Sequence, residues 1–113
     1  MQKKNVNFRD SKNSDNDGKE KISVQLLVTG KVQGVYFRFN LQQIAKKNSV
    51  FGWVRNLPDG RVEALLEGNK DDVDKVIEWS QMGPENARVD DVKTDNLQYE
   101  GKFRDFVIQH DEP

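Results

Sequence analysis

Two hydrophobic periods divide the chain from residue 22 onward. Ile22, Val24, Leu26 and Val28 take every second position, with Ser23, Gln25, Leu27 and Thr29 between them. A period of two predicts a strand with one apolar face. Phe37, Leu41, Ile44 and Ala45 then recur at helical spacing over Phe37 to Lys47, and Asn48-Ser49 can end that helix. Phe51 to Leu57 predicts a second strand. Pro58-Asp59-Gly60 is turn chemistry. Arg61 to Glu67 alternates again, with Val62, Ala64 and Leu66 on one face, so the pair predicts a hairpin. Gly68-Asn69 is expected to break that strand. Asp71 or Asp72 can cap a second helix whose inner face is Val73, Val76 and Ile77, and Gly83-Pro84 stops it. Arg88 to Leu97 alternates more weakly, and Phe103 to Gln109 predicts a last strand.

The order is β-α-β-β-α-β, with the last part open to division into two strands. That order predicts an α+β fold of the ferredoxin-like, split βαβ kind, with two helices on one face of an antiparallel sheet of four to five strands. Residues 1–20 are rich in Lys, Asn, Asp and Ser, with only Val6 and Phe8 apolar. Such a segment buries too little to offset its ordering entropy, so a disordered polar tail over 1–20 and one domain over 21–111 are expected. Asn13, Asp15, Asp17 and Gly18 imitate the start of a calcium loop, but Val24 falls where the bidentate carboxylate belongs. Calcium binding is therefore not expected there.

Composition narrows the chemistry. The chain has 113 residues, 35% apolar and 33% charged, with a net charge of -1. No global field draws it to nucleic acid or to a membrane surface. It has no cysteine, which excludes disulfides, thiolate nucleophiles and Cys-ligated zinc. The N-terminus has no apolar run of the secretory kind, and no stretch approaches a membrane span. A cytoplasmic protein is expected.

Two segments carry candidate chemistry. Gly30-Lys31-Val32-Gln33-Gly34-Val35-Tyr36-Phe37-Arg38 joins the first strand to the first helix. Backbone N–H groups at a helix start, together with one guanidinium, make a site for a phosphate-sized anion. The same spacing also suits an ordinary strand-to-helix turn with a solvated arginine. It matches neither the dinucleotide fingerprint nor the Walker loop. The second segment is Gly52-Trp53-Val54-Arg55-Asn56. Asn56 sits where a strand runs into its turn, and its amide both donates and accepts hydrogen bonds. Asn often does no more than satisfy turn backbone. In a split βαβ fold, however, the first loop and the end of the second strand lie near each other, which would bring Arg38 and Asn56 to one pocket.

Both segments, in this order and at this interval, resemble the signature of the acylphosphatases. Asp59-Gly60-Arg61-Val62-Glu63, Gly68, Gly83-Pro84 and Ala87-Arg88-Val89 resemble family positions as well. The likeness covers about residues 22–110. It implies hydrolysis of an acyl phosphate to a carboxylate and inorganic phosphate by direct attack of water, with no metal, no cofactor and no covalent enzyme intermediate. Arg38 would bind the phosphoryl oxygens with the backbone N–H groups of Gln33, Gly34, Val35, Tyr36, Phe37 and Arg38 itself, and Asn56 would orient the water. The implied partners are a small acyl phosphate, and inorganic phosphate as product and competitive inhibitor. No nucleic acid or membrane partner is expected, and the chain is expected to be a monomer.

The chain departs from that pattern at two places. Ser49 stands where a glycine commonly ends the first helix, so Asn48 is expected to take the left-handed position. Val107-Ile108-Gln109-His110 stands where many relatives have an arginine and a tyrosine. Arg55 is expected on a solvated face. Phe37 suits core packing, and Trp53 and Tyr36 are expected near the pocket, Tyr36 against the acyl group. His110 and the pairs Asp71-Asp72 and Asp90-Asp91 are given no metal or catalytic role. Two other functions fit parts of the pattern. One is a carbamoyl-phosphate-directed domain of a larger enzyme, against which the absence of cysteine-rich fingers counts. The other is a ferredoxin-like module binding RNA or protein, against which the lack of a basic-aromatic sheet signature counts.

Overall fold

The computed structural model describes residues 20–110. The tail over 1–20, apart from Glu20, and Asn13, Asp15, Asp17 and Gly18 of the calcium-like pattern fall outside those residues. In chain order the elements are β1 (Lys21–Lys31), α1 (Phe37–Lys47), β2 (Phe51–Asn56), β3 (Val62–Asn69), α2 (Lys70–Ser80), β4 (Arg88–Leu97) and β5 (Phe106–Ile108). They build one five-stranded sheet in the order β4-β1-β3-β2-β5. β3 lies between β1 and β2, and β1 lies between β3 and β4, so the two βαβ units interleave. Because β1 and β2 both run antiparallel to β3, their C-terminal ends leave the sheet at the same end.

Register turns the sequence pattern into a core. Val24 pairs with Leu66, Leu26 with Ala64 and Val28 with Val62. In the next ladder Gly52 pairs with Leu66, Val54 with Ala64 and Asn56 with Val62. Except for Gly52 and Asn56 these positions are buried hydrophobics, joined by Leu41 and Ala45 of α1 and Val73 and Val76 of α2. Asn56 is thus the polar member of an otherwise apolar row, at the end of the sheet where β1 leaves it. Gly52 keeps this ladder intact. At φ 138° its backbone lies so close to β3 that an added Cβ would collide with the Leu65 carbonyl oxygen.

Several expectations are corrected. The sheet is mixed, since β5 runs parallel to β2. β4 and β5 occupy opposite edges, so the chain must cross four strand spacings, roughly 19 Å. Residues 98–105 make that crossing, which shortens the expected last strand to Phe106–Ile108. Gly68-Asn69 does not break β3, because Ile22 and Lys21 still pair with them. The chain passes directly into α2 with Asn69 as N-cap and no side-chain cap. Neither Asp71 nor Asp72 caps the helix; both lie in its first turn. The Lys70 N–H is instead satisfied by the Glu20 carbonyl at 2.8 Å.

At the end of α1, Ser49 takes the left-handed conformation at φ 58°, and Asn48 does not. The Asn48 amide donates to the Ile44 carbonyl at 2.8 Å. Val50 N–H reaches Ala45 O and Ser49 N–H reaches Lys46 O, a Schellman closure that fixes the left-handed residue one position later. The β2–β3 turn closes as expected, with Leu57 N–H on Arg61 O at 2.8 Å and Gly60 N–H on Leu57 O at 3.1 Å.

Candidate active site

The loop after β1 is held from below and above. Val32 and Val35 are buried, while Gly34 and Tyr36 face outward. Two residues in a row of alternation take left-handed backbone: Gly34 at φ 75° and Tyr36 at φ 65°. Glycine does so without strain, whereas a tyrosine there costs roughly 1–2 kcal/mol. Tyr36 is 76% exposed, so side-chain burial does not compensate it. Its carbonyl does the holding, accepting from Asn40 N–H at 3.1 Å and from the Asn40 side-chain amide at 2.9 Å. Tyr36 is also the N-cap of α1, with no side-chain cap and no acidic residue in the first turn. The helix start therefore keeps its positive character open to an anion.

A cavity of 340 Å³ opens at this end of the sheet, lined by Val32, Gly34, Tyr36, Phe37, Arg38, Phe39, Asn56 and Ile108. Arg38 and Asn56, 18 residues apart in sequence, thus face one space (56 − 38 = 18). Arg38 supplies the charge among these lining residues and is partly exposed. Asn56 is 9% exposed, and its Oδ1 is buried with no hydrogen-bond partner among the described residues. An unmet buried acceptor of this kind costs on the order of 1–3 kcal/mol, and here it belongs to a residue of the cavity wall. Phe37 is buried and packs on Trp79 at 5.2 Å, as core. Val35 and Phe37 can therefore offer a ligand only their main-chain groups.

Gln33 holds the two halves of the site together. Its side-chain amide donates to Leu57 O at 2.8 Å and to Arg61 O at 2.9 Å, the two ends of the β2–β3 turn. The turn begins directly after Asn56, so the amide ties the loop to the strand end that carries Asn56. The sequence placed Gln33 in the loop but held no signal for this clamp, because both acceptors are main-chain carbonyls more than twenty residues away. Gln33→Leu is expected to lower stability by about 1–2 kcal/mol and to lower kcat as well. Urea unfolding and steady-state rates check this; an unchanged kcat would make the tie purely structural.

Other sequence-selected residues lie elsewhere. Trp53 and Arg55 project from the sheet face opposite the helices, so Trp53 does not line the cavity. Arg55 is not merely solvated: it pairs with Glu63 at 2.7 Å and lies over the Trp53 ring at 5.2 Å. Ile108 and Phe39, which sequence reasoning did not select, line the cavity. The Asp90 carboxyl is held below its ordinary value by hydrogen bonding to Arg88, and both groups are on the surface. Among the described residues no cluster of three His, Asp or Glu could hold a metal ion, and no helix is long and apolar enough to cross a membrane. A larger cavity of 570 Å³ lies at the opposite end of β1, around Lys21, Lys70 and Tyr99, away from every motif residue.

The family model described as acylphosphatase matches residues 24–108. The chain belongs to the acylphosphatase family. It is 52% identical over 90 residues to an acylphosphatase of Pyrobaculum islandicum, covering 79% of this chain and 95% of that protein. An acylphosphatase structure from Coxiella burnetii superposes with a TM-score of 0.77 at 33% identity, over 84% of this chain and 99% of the other. Full-length HypF, in a phosphate- and nucleotide-bound form, contains the same fold as 12% of its chain, with a TM-score of 0.73 and 26% identity over 81% of this one. Its family and fold make this acylphosphatase a hydrolase of acyl phosphates with a ferredoxin-like α+β architecture.

Proposed function

We propose that this acyl phosphate hydrolase works by direct attack of water on phosphorus, with Arg38 and Asn56 as its two catalytic side chains. The observation that carries this is that Arg38 and Asn56 line one cavity beside the start of α1. Arg38 and the backbone N–H groups from Gln33 to Arg38 hold the phosphoryl oxygens. Asn56 holds and orients the attacking water through its side-chain amide. Phosphoryl transfer passes through a loose transition state with charge on the equatorial oxygens, so it needs preorganised donors more than a strong base. The leaving group is a carboxylate, which departs without a general acid. No titrating side chain and no metal is then required, and the chemistry asks of the site only position and charge.

Hydrolysis of benzoyl phosphate, with and without EDTA and with inorganic phosphate as competitor, tests this course. Turnover unaffected by chelator and inhibited competitively by phosphate is expected; loss of turnover on chelation would refute it. No nucleic-acid partner is expected, since a net charge of -1 gives no general attraction to a polyanion. The expected state is a cytoplasmic monomer.

A further inference from the structure

We propose that the acyl half of the substrate lies in a second cavity, and that this cavity selects acyl phosphates with an uncharged aromatic or aliphatic acyl group. The assignment rests on the phosphoryl group being held by the Gln33–Arg38 loop. The second cavity, of 440 Å³, is walled by Tyr36, Phe39, Trp79 and Pro84, with Glu85 and Asn86 at its rim. It meets the first cavity at Tyr36 and Phe39, which line both. These two aromatics are 76% and 54% exposed, an unusual expenditure of large apolar surface beside a polar site. Trp79 is fixed against Phe37, so that side of the wall is preformed.

In-line displacement fixes the direction. Water and leaving group occupy opposite sides of phosphorus. Asn56 lines the first cavity and not the second. With water on the Asn56 side, the acyl carboxylate departs toward the seam at Tyr36 and Phe39, and its substituent enters the second cavity. Rings there offer offset or edge contacts to an aromatic acyl group. Glu85 is the charged residue among those lining this cavity, and it is exposed. Its carboxylate opposes an acyl chain that ends in a second carboxylate.

The test compares kcat/KM for benzoyl, acetyl and succinyl phosphate in wild type, Phe39→Ala and Glu85→Lys. Ratios between substrates, each relative to wild type, cancel intrinsic leaving-group reactivity. Acetyl phosphate, with only a methyl group on its carboxyl carbon, is the short-chain reference. Phe39→Ala is expected to lower the benzoyl-to-acetyl ratio about tenfold, the scale of discrimination by an apolar pocket. Glu85→Lys is expected to raise the succinyl-to-acetyl ratio roughly threefold to fivefold, falling toward wild type as salt screens the exposed charge. Both side chains are exposed, so neither variant removes core; circular dichroism and thermal melts confirm folding. Either ratio staying within about twofold of wild type, with turnover intact, overturns the assignment. Failure of wild type to hydrolyse any of the three would overturn the hydrolytic course together with it.

Discussion

Asn56→Ala is expected to lower kcat by about 10²–10³-fold while affinity for inorganic phosphate changes little, the scale seen when one preorganised transition-state contact is removed. The amide sits at the end of β2, opposite Val62 and in the row of buried valines. It is held there by strand pairing, and the Gln33 clamp fixes the turn that follows. Alanine fills that place without disturbing the ladder, but a water beside it loses its orientation. The loop proposed to hold phosphate is on other residues and stays whole. Stability supplies a second, independent sign. The wild-type Oδ1 is buried and unpartnered, so its removal is expected to leave the protein as stable or more stable, by up to about 1 kcal/mol. Isothermal titration with phosphate, steady-state kinetics and urea unfolding check all three. Collapse of phosphate affinity, with turnover per bound substrate preserved, would remove the assigned role.

Arg38→Lys is expected to lose most activity, about 100-fold, although the charge is kept. In the proposed role the planar guanidinium would meet two phosphoryl oxygens at once, and lysine would replace that fork with a point charge. Arg38 is the second residue of α1, beside the uncapped first N–H groups of the helix. Its contribution is therefore geometric as well as electrostatic, and phosphate affinity should fall with kcat/KM, unlike in Asn56→Ala. A lysine variant with near wild-type kcat/KM would exclude bidentate binding. Arg38→Ala, measured beside it, separates the cost of losing the fork from that of losing the charge.

The elements were legible because burial obeys periodicity. Val24, Leu26 and Val28 repeat every second residue since one face of β1 packs against α2, and α1 occupies the span that its spacing predicts. The errors cluster where local preference met a tertiary constraint. Gly68-Asn69 reads as a breaker, yet pairing to β1 carries the strand through it. Asp71 and Asp72 read as caps, yet a carbonyl preceding β1 already satisfies the helix start. Asn48 reads as the left-handed residue, yet its amide is spent on Ile44 and the closure moves to Ser49. Each time a main-chain hydrogen bond to a distant or differently placed partner outweighed a side-chain tendency worth about 1 kcal/mol or less.

The sequence by itself determined the strand and helix order, the family, and the two motifs that contain Arg38 and Asn56, because those are written in residue type and spacing. The tertiary structure lines one cavity with both motifs, as the split βαβ order led one to expect. That follows from β3 lying between β1 and β2, which sends both C-terminal ends to the same end of the sheet. It also decided that Gln33 clamps the β2–β3 turn, that Trp53 turns away to the open face, and that Phe39 and Ile108 complete the cavity wall. Such contacts join residues far apart in the chain. Their geometry comes from strand register, which the hydrophobic pattern constrains only as to which face is buried.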